Sequence, residues 1–177
     1  MRRVAGLLRA INVGGRKLLM TDLARIATVV GFDQPQTLLA SGNVVFGTER
    51  SNSEAERRLE AAILDDQGLA TDVMVRDLAE LRAVMSANPF PLQAAEEPSR
   101  LLVLFLKGES VSDLDGLASV CTLGEEVRPG PGCLYLWYPQ GVGVSKLTNG
   151  GIERRMGVPG TARNWNTVGK LAERLVV

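Results

Sequence analysis

The chain has 177 residues, of which 45% are hydrophobic and 5% aromatic, so it can bury a core built mainly from Leu, Val, Ile and Ala. Its 20 basic and 20 acidic side chains balance, and it contains no histidine, which excludes Ser-His-Asp and Cys-His nucleophiles, imidazole acid-base catalysis and the commonest zinc ligand. Two cysteines without histidine make no transition-metal site, so we expect neither a metal nor a cofactor.

The first half of the chain predicts the order strand, helix, strand, strand, helix, strand. Thr21 is a candidate N-cap of the first helix, and Ser53-Glu54-Ala55-Glu56 has the pattern of a capping box for the second. The predicted elements are a strand over 4–8, a helix over 21–31, strands over 37–40 and 44–46, a helix over 53–68 and a strand over 72–76. This order is the plan of a ferredoxin-like (βαββαβ) subdomain.

A boundary between two subdomains is predicted after the next helix. Asp77 caps that helix, which ends before Asn88-Pro89, and the Pro- and Glu-rich stretch 89–98 has the composition of a linker. We therefore assign residues 1–88 to an N-terminal ferredoxin-like subdomain and residues 99–177 to a C-terminal one.

The second half repeats the pattern in a degraded form. It predicts a strand over 101–106, a short helix capped by Ser112, strands around Val127 and 134–137, and helices over 147–156 and 165–175. The last helix falls where the plan calls for a strand. The fold class predicted is thus α+β, with two ferredoxin-like subdomains, the second degraded, packed together with a C-terminal helix.

The start of the chain and its cysteines indicate a compartment. Arg9 interrupts the first apolar run before it reaches the length of a signal peptide, and no later run approaches the roughly 18 apolar residues of a membrane span. Cys121 and Cys133 are expected to be free core residues. We predict a cytoplasmic protein without a membrane partner; the sequence leaves the oligomeric state open.

Basic charge is concentrated at the two ends of the chain. Residues 1–20 carry five basic and no acidic side chains, residues 127–177 seven basic against two acidic, and residues 21–126 eight basic against eighteen acidic. Four polar, glycine-containing segments offer donors that suit oxyanions, two of them in each half. The candidate anion-binding residues are Arg9, Asn12, Gly14, Gly15, Arg16, Ser41, Asn43, Ser145, Lys146, Arg163, Asn164, Trp165 and Asn166.

Each segment also has a purely structural interpretation. Gly14 and Gly15 allow the chain to turn, and Ser41-Gly42-Asn43 has the composition of an ordinary turn between two hairpin strands. Asn164, Asn166 and Thr167 stand where a helix begins, so at least one is expected to be an N-cap. Trp165 either stacks on a base or fills a gap between the halves, and the scarcity of aromatic residues favours the second role.

Several blocks resemble, in order and spacing, the signature blocks of a bacterial domain-of-unknown-function family, numbered 1697. The blocks are Leu7–Gly15, Ser41–Phe46, Asn88–Phe90, Ser145–Leu147 and Thr161–Val168. The resemblance implies an α+β fold of two ferredoxin-like subdomains, and it implies no activity because the family is uncharacterised. Ala10 stands where the family usually has glycine, and Gly150-Gly151 replace better helix formers.

Three functions fit these observations, and the sequence leaves it open whether the protein is an enzyme. The first is binding of a phosphate-bearing ligand, a nucleotide or a nucleic acid, at a basic, Asn-rich surface between the two halves. The second is a small histidine-free phosphoryl or acyl-phosphate hydrolase, in which Arg9 or Arg16 holds the phosphate and Asn43 orients water. The third is a structural or partner-binding protein.

Overall fold

The structure is a computed structural model that describes residues 1–109 and 114–176. It is a mixed α+β protein with two four-stranded antiparallel sheets. The chain divides into two compact units: an N-terminal unit of residues 1–81 with the end of the chain from Leu171, and a C-terminal unit of residues 82–170. None of the helices in the described part of the chain has the length and apolar character needed to cross a membrane.

The N-terminal unit follows the predicted element order. Its elements are β1 (Arg2–Leu8), α1 (Met20–Val29), β2 (Asp33–Thr37), β3 (Asn43–Thr48), α2 (Asn52–Gln67) and β4 (Val73–Asp77). The sheet order is β2-β3-β1-β4, and every neighbouring pair is antiparallel. β2 and β3 form a hairpin, whereas α1 and β2 separate β1 from β3 in the chain, and both helices and the hairpin separate β1 from β4.

The second half contains α3 (Leu78–Ser86), α4 (Pro91–Glu96), β5 (Leu101–Leu106), a 3-10 helix (Asp115–Val120), β6 (Glu126–Gly130), β7 (Cys133–Trp137), a 3-10 turn (Val142–Val144), α5 (Asn149–Met156), β8 (Gly160–Asn164) and α6 (Trp165–Leu175). Its sheet order is β6-β7-β5-β8, again antiparallel throughout. The two sheets thus have the same strand order when their strands are counted along the chain.

The helix ends show why these sequences form these helices. The Ser51 hydroxyl accepts a hydrogen bond from the Glu54 amide at the start of α2, and Gly68 ends that helix with a φ of 63°. The N-cap of α2 is therefore Ser51, and the prediction of a capping box that begins at Ser53 is wrong, because Ser53 lies inside the helix. At α3, Asp77 and Glu80 each accept a hydrogen bond from the other's backbone amide, which is a reciprocal capping box. In α1 the prediction of a Thr21 N-cap is wrong, because the helix begins one residue earlier, after Leu19, without a side-chain cap.

One face of each sheet carries a helical layer. In the N-terminal unit, Leu23 and Ile26 of α1 and Leu59 and Ile63 of α2 are buried with the sheet residues Val4, Leu8, Val44 and Phe46. In the C-terminal unit, Leu117 of the 3-10 helix and Ile152 and Met156 of α5 are buried with Leu104, Leu134, Leu136 and Tyr138. Both cores are apolar layers between helix and sheet.

Glutamates from the helices bind the edge strands β4 and β8. The Val73 and Val75 amides of β4 donate to Glu60 and Glu56 of α2, at 2.7 and 2.8 Å. In the C-terminal unit the Gly160 amide of β8 donates to Glu153 of α5 at 3.1 Å. These carboxylates satisfy outward-facing amides that would otherwise be available to another chain.

Three further sequence predictions need correction. The first strand of the hairpin lies at Asp33–Thr37 and not at 37–40, because an edge strand tolerates Pro35 and polar residues that obscure the alternating pattern. The strand β8 lies between α5 and α6, so the last helix does not take the place of a strand as the sequence predicted. The short helix around Leu117 is a 3-10 helix, and its predicted cap Ser112 lies outside the described residues.

The predicted linker 89–98 contains α4, a short helix whose first residue is Pro91.

Candidate functional site

The loop after β1 is held in shape by Asn12. Its side-chain amide donates to the carbonyls of Ala40 and Leu18, at 2.7 and 3.2 Å, and its oxygen accepts a hydrogen bond from the Leu18 amide. Gly14 and Gly15 have positive φ values of 57° and 82° and are exposed. Ala10 also has a positive φ, 51°, a backbone conformation that glycine adopts more easily. Asn12 therefore shapes this loop through bonds to its own chain.

The two arginines of this loop contact backbone or acid groups nearby. Arg9 lies 3.8 Å from Asp72, and its carbonyl accepts a hydrogen bond from the Thr71 hydroxyl. Arg16 donates from its guanidinium to the Ala70 carbonyl, and its Nε atom is buried without a hydrogen-bond partner among the described residues. Both side chains are half-buried beside the stretch that leads into β4.

The Ser41-Gly42-Asn43 segment lies next to the first loop. Asn43 is completely buried, and its amide donates to the Leu38 carbonyl at 2.7 Å and to the Ser41 hydroxyl at 2.9 Å. The Gly42 carbonyl accepts a hydrogen bond from the Leu8 amide, which joins the segment to the end of β1. The structure therefore brings the two predicted N-terminal segments together, with Asn43 buried at the end of the hairpin where the connecting loop meets β3.

Ser145 is tied to a buried carboxylate. Its hydroxyl donates to Glu125 and accepts a hydrogen bond from the Leu147 amide at 3.0 Å. Burial alone would raise the pKa of Glu125, but hydrogen bonds from Ser145 and from the Leu123 amide outweigh it, so the pKa lies below its usual value. This pair fixes the chain just before Lys146, whose side chain is exposed.

Asn164, Trp165 and Asn166 stand at the junction of β8 and α6. Asn164 is the N-cap of α6, because its side-chain oxygen accepts hydrogen bonds from the amide and the hydroxyl of Thr167, both at 3.0 Å. The Trp165 side chain is half-buried and its amide donates to the Pro98 carbonyl, whereas Asn166 is exposed. Asn164 thus has the capping role that the sequence left open.

Arg163 is buried, with 6% of its surface exposed. Its guanidinium donates to the Thr161 hydroxyl at 2.7 Å and to the Ala162 carbonyl at 2.8 Å, and burial lowers its pKa to about 10. Arg76 has the same position in the other unit: it also lies one residue before a helix-capping residue, and it also donates to the preceding carbonyl. The chain therefore repeats this arginine in the last strand of both sheets.

A cleft of about 530 Å³ lies in the C-terminal unit between the 3-10 helix and the start of α5. We call it the cationic cleft, because the charged side chains that line it, among residues 1–109 and 114–176, are Lys146, Arg154 and Arg155. Ser119 and Thr148 contribute hydroxyl groups. Its apolar lining residues are Leu117, Val120, Leu147 and Ile152.

One wall of the cationic cleft is the first turn of α5. The Thr148 hydroxyl caps the helix by accepting a hydrogen bond from the Gly151 amide at 3.2 Å. Arg154 reaches back along the helix, since its Nη2 atom lies 3.9 Å from the position that a Cβ would take at Gly151. Among the described residues, Lys146 and Arg154 have no hydrogen-bond or ion-pair partner. Positive charge and backbone amides therefore meet at this end of the helix, where the helix dipole also favours an anion.

The opposite wall holds Arg155 against the 3-10 helix. The three atoms nearest to a Cβ built at Gly116 all belong to the Arg155 guanidinium, and the closest would overlap it. Gly116 thus provides the space in which this guanidinium lies. Any larger residue at position 116 would displace Arg155.

The sequence interpretation found Lys146 of this cleft and missed its other polar residues, Ser119, Thr148, Arg154 and Arg155. A signal was present, because Thr148 precedes the glycine pair Gly150-Gly151 and the basic pair follows one turn later. In the described part of the chain, no three acidic or cysteine side chains cluster as metal ligands would.

Comparison with known proteins identifies a family and a shared fold. The structure is similar to that of the conserved bacterial protein SP0830 from Streptococcus pneumoniae, with a TM-score of 0.68, 23% sequence identity and 98% of each chain covered. None of the curated proteins is significantly similar in sequence. The family model described as Protein of unknown function (DUF1697) matches residues 1–135, and the chain therefore belongs to that family.

Proposed function

We propose that the protein binds a small phosphate-bearing ligand in the cationic cleft. The observation that carries this proposal is that Lys146 and Arg154 line the cleft beside the first turn of α5, and that every charged lining residue in the described part of the chain is cationic. A phosphate group needs several donors at once, and guanidinium and ammonium groups supply its strongest hydrogen bonds. The volume of about 530 Å³ is in the range of small-molecule sites.

The lining favours a small molecule over a nucleic acid. The residues of the cleft include no aromatic side chain in the described part of the chain. Proteins that bind single-stranded nucleic acid usually stack bases on aromatic side chains along a groove. A compact phosphate ester requires only the cationic groups and the apolar surface beside them.

The experiment compares two double variants that remove the same charges. Lys146→Gln with Arg154→Gln alters the cleft, whereas Lys170→Gln with Arg174→Gln alters exposed positions of α6 that do not line it. Binding of glycerol 3-phosphate, AMP and inorganic phosphate is followed by the rise in melting temperature and by calorimetry. We expect the cleft variant to lose at least tenfold in affinity and the α6 variant to stay within twofold.

Two results would overturn the proposal. One is that none of the three phosphate compounds binds the wild-type protein at millimolar concentration. The other is that both double variants lose affinity equally, which would indicate attraction by overall charge. If an oligoribonucleotide binds far more tightly than AMP, the ligand is a nucleic acid and not a small molecule.

We propose in addition that each unit is a ferredoxin-like subdomain. The support is the order strand, helix, strand, strand, helix, strand, together with the sheet order β2-β3-β1-β4 and its counterpart β6-β7-β5-β8. An experimental structure with a different strand order in either sheet would contradict this assignment.

We also propose that the protein works in a reducing bacterial cytoplasm. Cys121 and Cys133 are free, and burial together with the nearby Glu125 raises the pKa of the Cys121 thiol. Titration of the unfolded, unreduced protein with a thiol reagent should find two free thiols. Finding no free thiol would contradict the proposal.

A further inference from the structure

The segment that joins the 3-10 turn to α5 alternates between the interior and the cationic cleft. Ser145 and Leu147 face inward, since the Ser145 hydroxyl donates to the buried Glu125 carboxylate and Leu147 is buried. Lys146 and Thr148 are exposed and line the cleft. The backbone is extended at both ends of the segment, with ψ values of 145° at Ser145 and 153° at Thr148. Successive side chains of an extended chain point to opposite sides, so Lys146 faces the cleft because its two neighbours face inward.

Hydrogen bonds hold this segment on both sides of the cleft lysine. Before it, the Ser145 hydroxyl donates to Glu125 and accepts a hydrogen bond from the Leu147 amide at 3.0 Å. After it, the Leu147 carbonyl accepts a hydrogen bond from the buried Tyr138 hydroxyl at 3.1 Å. The second Glu125 oxygen accepts a hydrogen bond from the Leu123 amide at 2.8 Å. The carboxylate therefore joins the segment to the turn that precedes β6.

The burial of Glu125 indicates that these hydrogen bonds are important. Only 7% of its surface is exposed, and among the described residues it forms no ion pair. Burying a carboxylate without a cation is unfavourable unless hydrogen bonds offset the lost hydration. In the described part of the chain, neither Glu125 nor Ser145 lines the cleft. Any effect of the two residues on a ligand must therefore act through the residue that they hold.

We propose that Glu125 and Ser145 position Lys146 for the phosphate group of the ligand. This inference rests on the proposed function and names positioning residues for the same site. While the two side chains are bonded, the backbone at Lys146 is already held in the conformation that directs the side chain to the cleft. When the bond is lost, binding includes the conformational entropy cost of ordering this segment.

The first test separates positioning from an effect of overall charge. Glu125→Gln removes a negative charge, which by itself favours an anion. It also leaves one acceptor oxygen for two donors, the Ser145 hydroxyl and the Leu123 amide, so we expect the affinity for glycerol 3-phosphate to fall by about fivefold. Glu126→Gln makes the same change of charge at the neighbouring, more exposed carboxylate and should leave the affinity unchanged or slightly higher. An affinity of Glu125→Gln that equals or exceeds that of the wild type would overturn the inference.

Ser145 permits a second test without a change of charge. Ser145→Ala removes both hydrogen bonds of the hydroxyl, and we expect it to weaken binding of glycerol 3-phosphate by about fivefold. Ser145→Thr restores a hydroxyl and should return the affinity to within about twofold of the wild type. Ser51→Ala removes the hydroxyl that caps α2 and is the control for a general loss of stability. If Ser51→Ala weakens binding as much as Ser145→Ala, the effect reflects stability and the inference is wrong.

The Lys146→Gln variant decides whether Ser145 acts through the lysine. When Lys146 is already replaced, Ser145→Ala should weaken binding by less than about twofold, although it should lower the melting temperature equally in both backgrounds. An equal loss of affinity in both backgrounds would show another route and overturn the inference. If the wild-type protein binds no phosphate compound, the proposed function itself fails. If Lys146→Gln weakens binding and neither Ser145→Ala nor Glu125→Gln does, only the present inference fails.

Discussion

The two units use the same strand order but differ in the layer above the sheet. In the N-terminal unit, α1 has 10 residues and α2 has 16, and their apolar faces lie over the sheet together. In the C-terminal unit, a 3-10 helix over Asp115–Val120 occupies the position of α1 in the order, and α5 has 8 residues. Shorter helices cover less of a sheet, so this layer leaves room for a cleft.

The charges beside the helices differ in the same way. A groove of about 310 Å³ between α1 and α2 is lined by Asp65 and Asp66 with the apolar residues Ile26, Val29 and Ala62. Arg25 holds Asp66 through two hydrogen bonds, which lower the pKa of that carboxyl to about 2. The C-terminal cleft instead has cationic lining residues. The comparison indicates that two units with the same strand order differ in helix length and in the charge of the groove beside their helices.

The largest expected effect tests the difference in packing. Ile63→Ala removes a completely buried side chain from α2, and we expect the free energy of unfolding to fall by about 4 kcal/mol. Leu117→Ala should cost about 2 kcal/mol, because the space it leaves opens into the cleft and fills with water. Urea unfolding of both variants measures the two losses. If Leu117→Ala lowers the free energy of unfolding as much as Ile63→Ala does, the space left by Leu117 does not open into the cleft, and the prediction is wrong.

The next prediction compares the repeated arginines. Arg163→Ala should lower the free energy of unfolding by about 3 kcal/mol, because it empties a buried site and removes donors from Thr161 and Ala162. For Arg76→Ala we expect about 1 to 2 kcal/mol, since its side chain is 12% exposed and lies 4.0 Å from Glu56. Thermal unfolding without ligand measures both. An unchanged melting temperature for Arg163→Ala would contradict the structural role and keep Arg163 a candidate ligand contact.

The smallest expected effect concerns Glu125, a buried carboxylate of the C-terminal unit. Its pKa is lower in the folded protein than in the unfolded chain, so its contribution to stability is complete above the unfolded pKa and is lost as the pH falls through the folded pKa. Glu125→Gln should cost about 1 kcal/mol at neutral pH, the difference between charged and neutral hydrogen bonds.

The pH dependence provides the check on Glu125. Stability measured from neutral to acidic pH should fall less steeply for Glu125→Gln than for the wild type. Glu126→Gln, which changes the neighbouring and more exposed carboxylate, should leave the slope nearly unchanged. Parallel acid profiles for the wild type and Glu125→Gln would contradict the assignment.

The sequence by itself determined the elements whose signals are local. The Asp77 cap of α3, the end of α2 at Gly68 and the position of α6 depend on residues within a few positions of one another, and all three were predicted. The family was also evident from short blocks of sequence, which the family match confirms. The element order of the N-terminal unit followed from these signals.

Only the tertiary structure decided which polar residues are buried and which meet in a cleft. Asn43 and Arg163 look like ligand-binding residues in the sequence, and the fold buries both with hydrogen bonds to their own chain. Strand β8 escaped prediction because Thr161 and Arg163 break its apolar pattern, and pairing with β5 supplies the order that the pattern lacks. The meeting of Arg155 with Gly116 joins residues 39 positions apart, and such a contact depends on the packing of α5 against the 3-10 helix, which no local signal encodes.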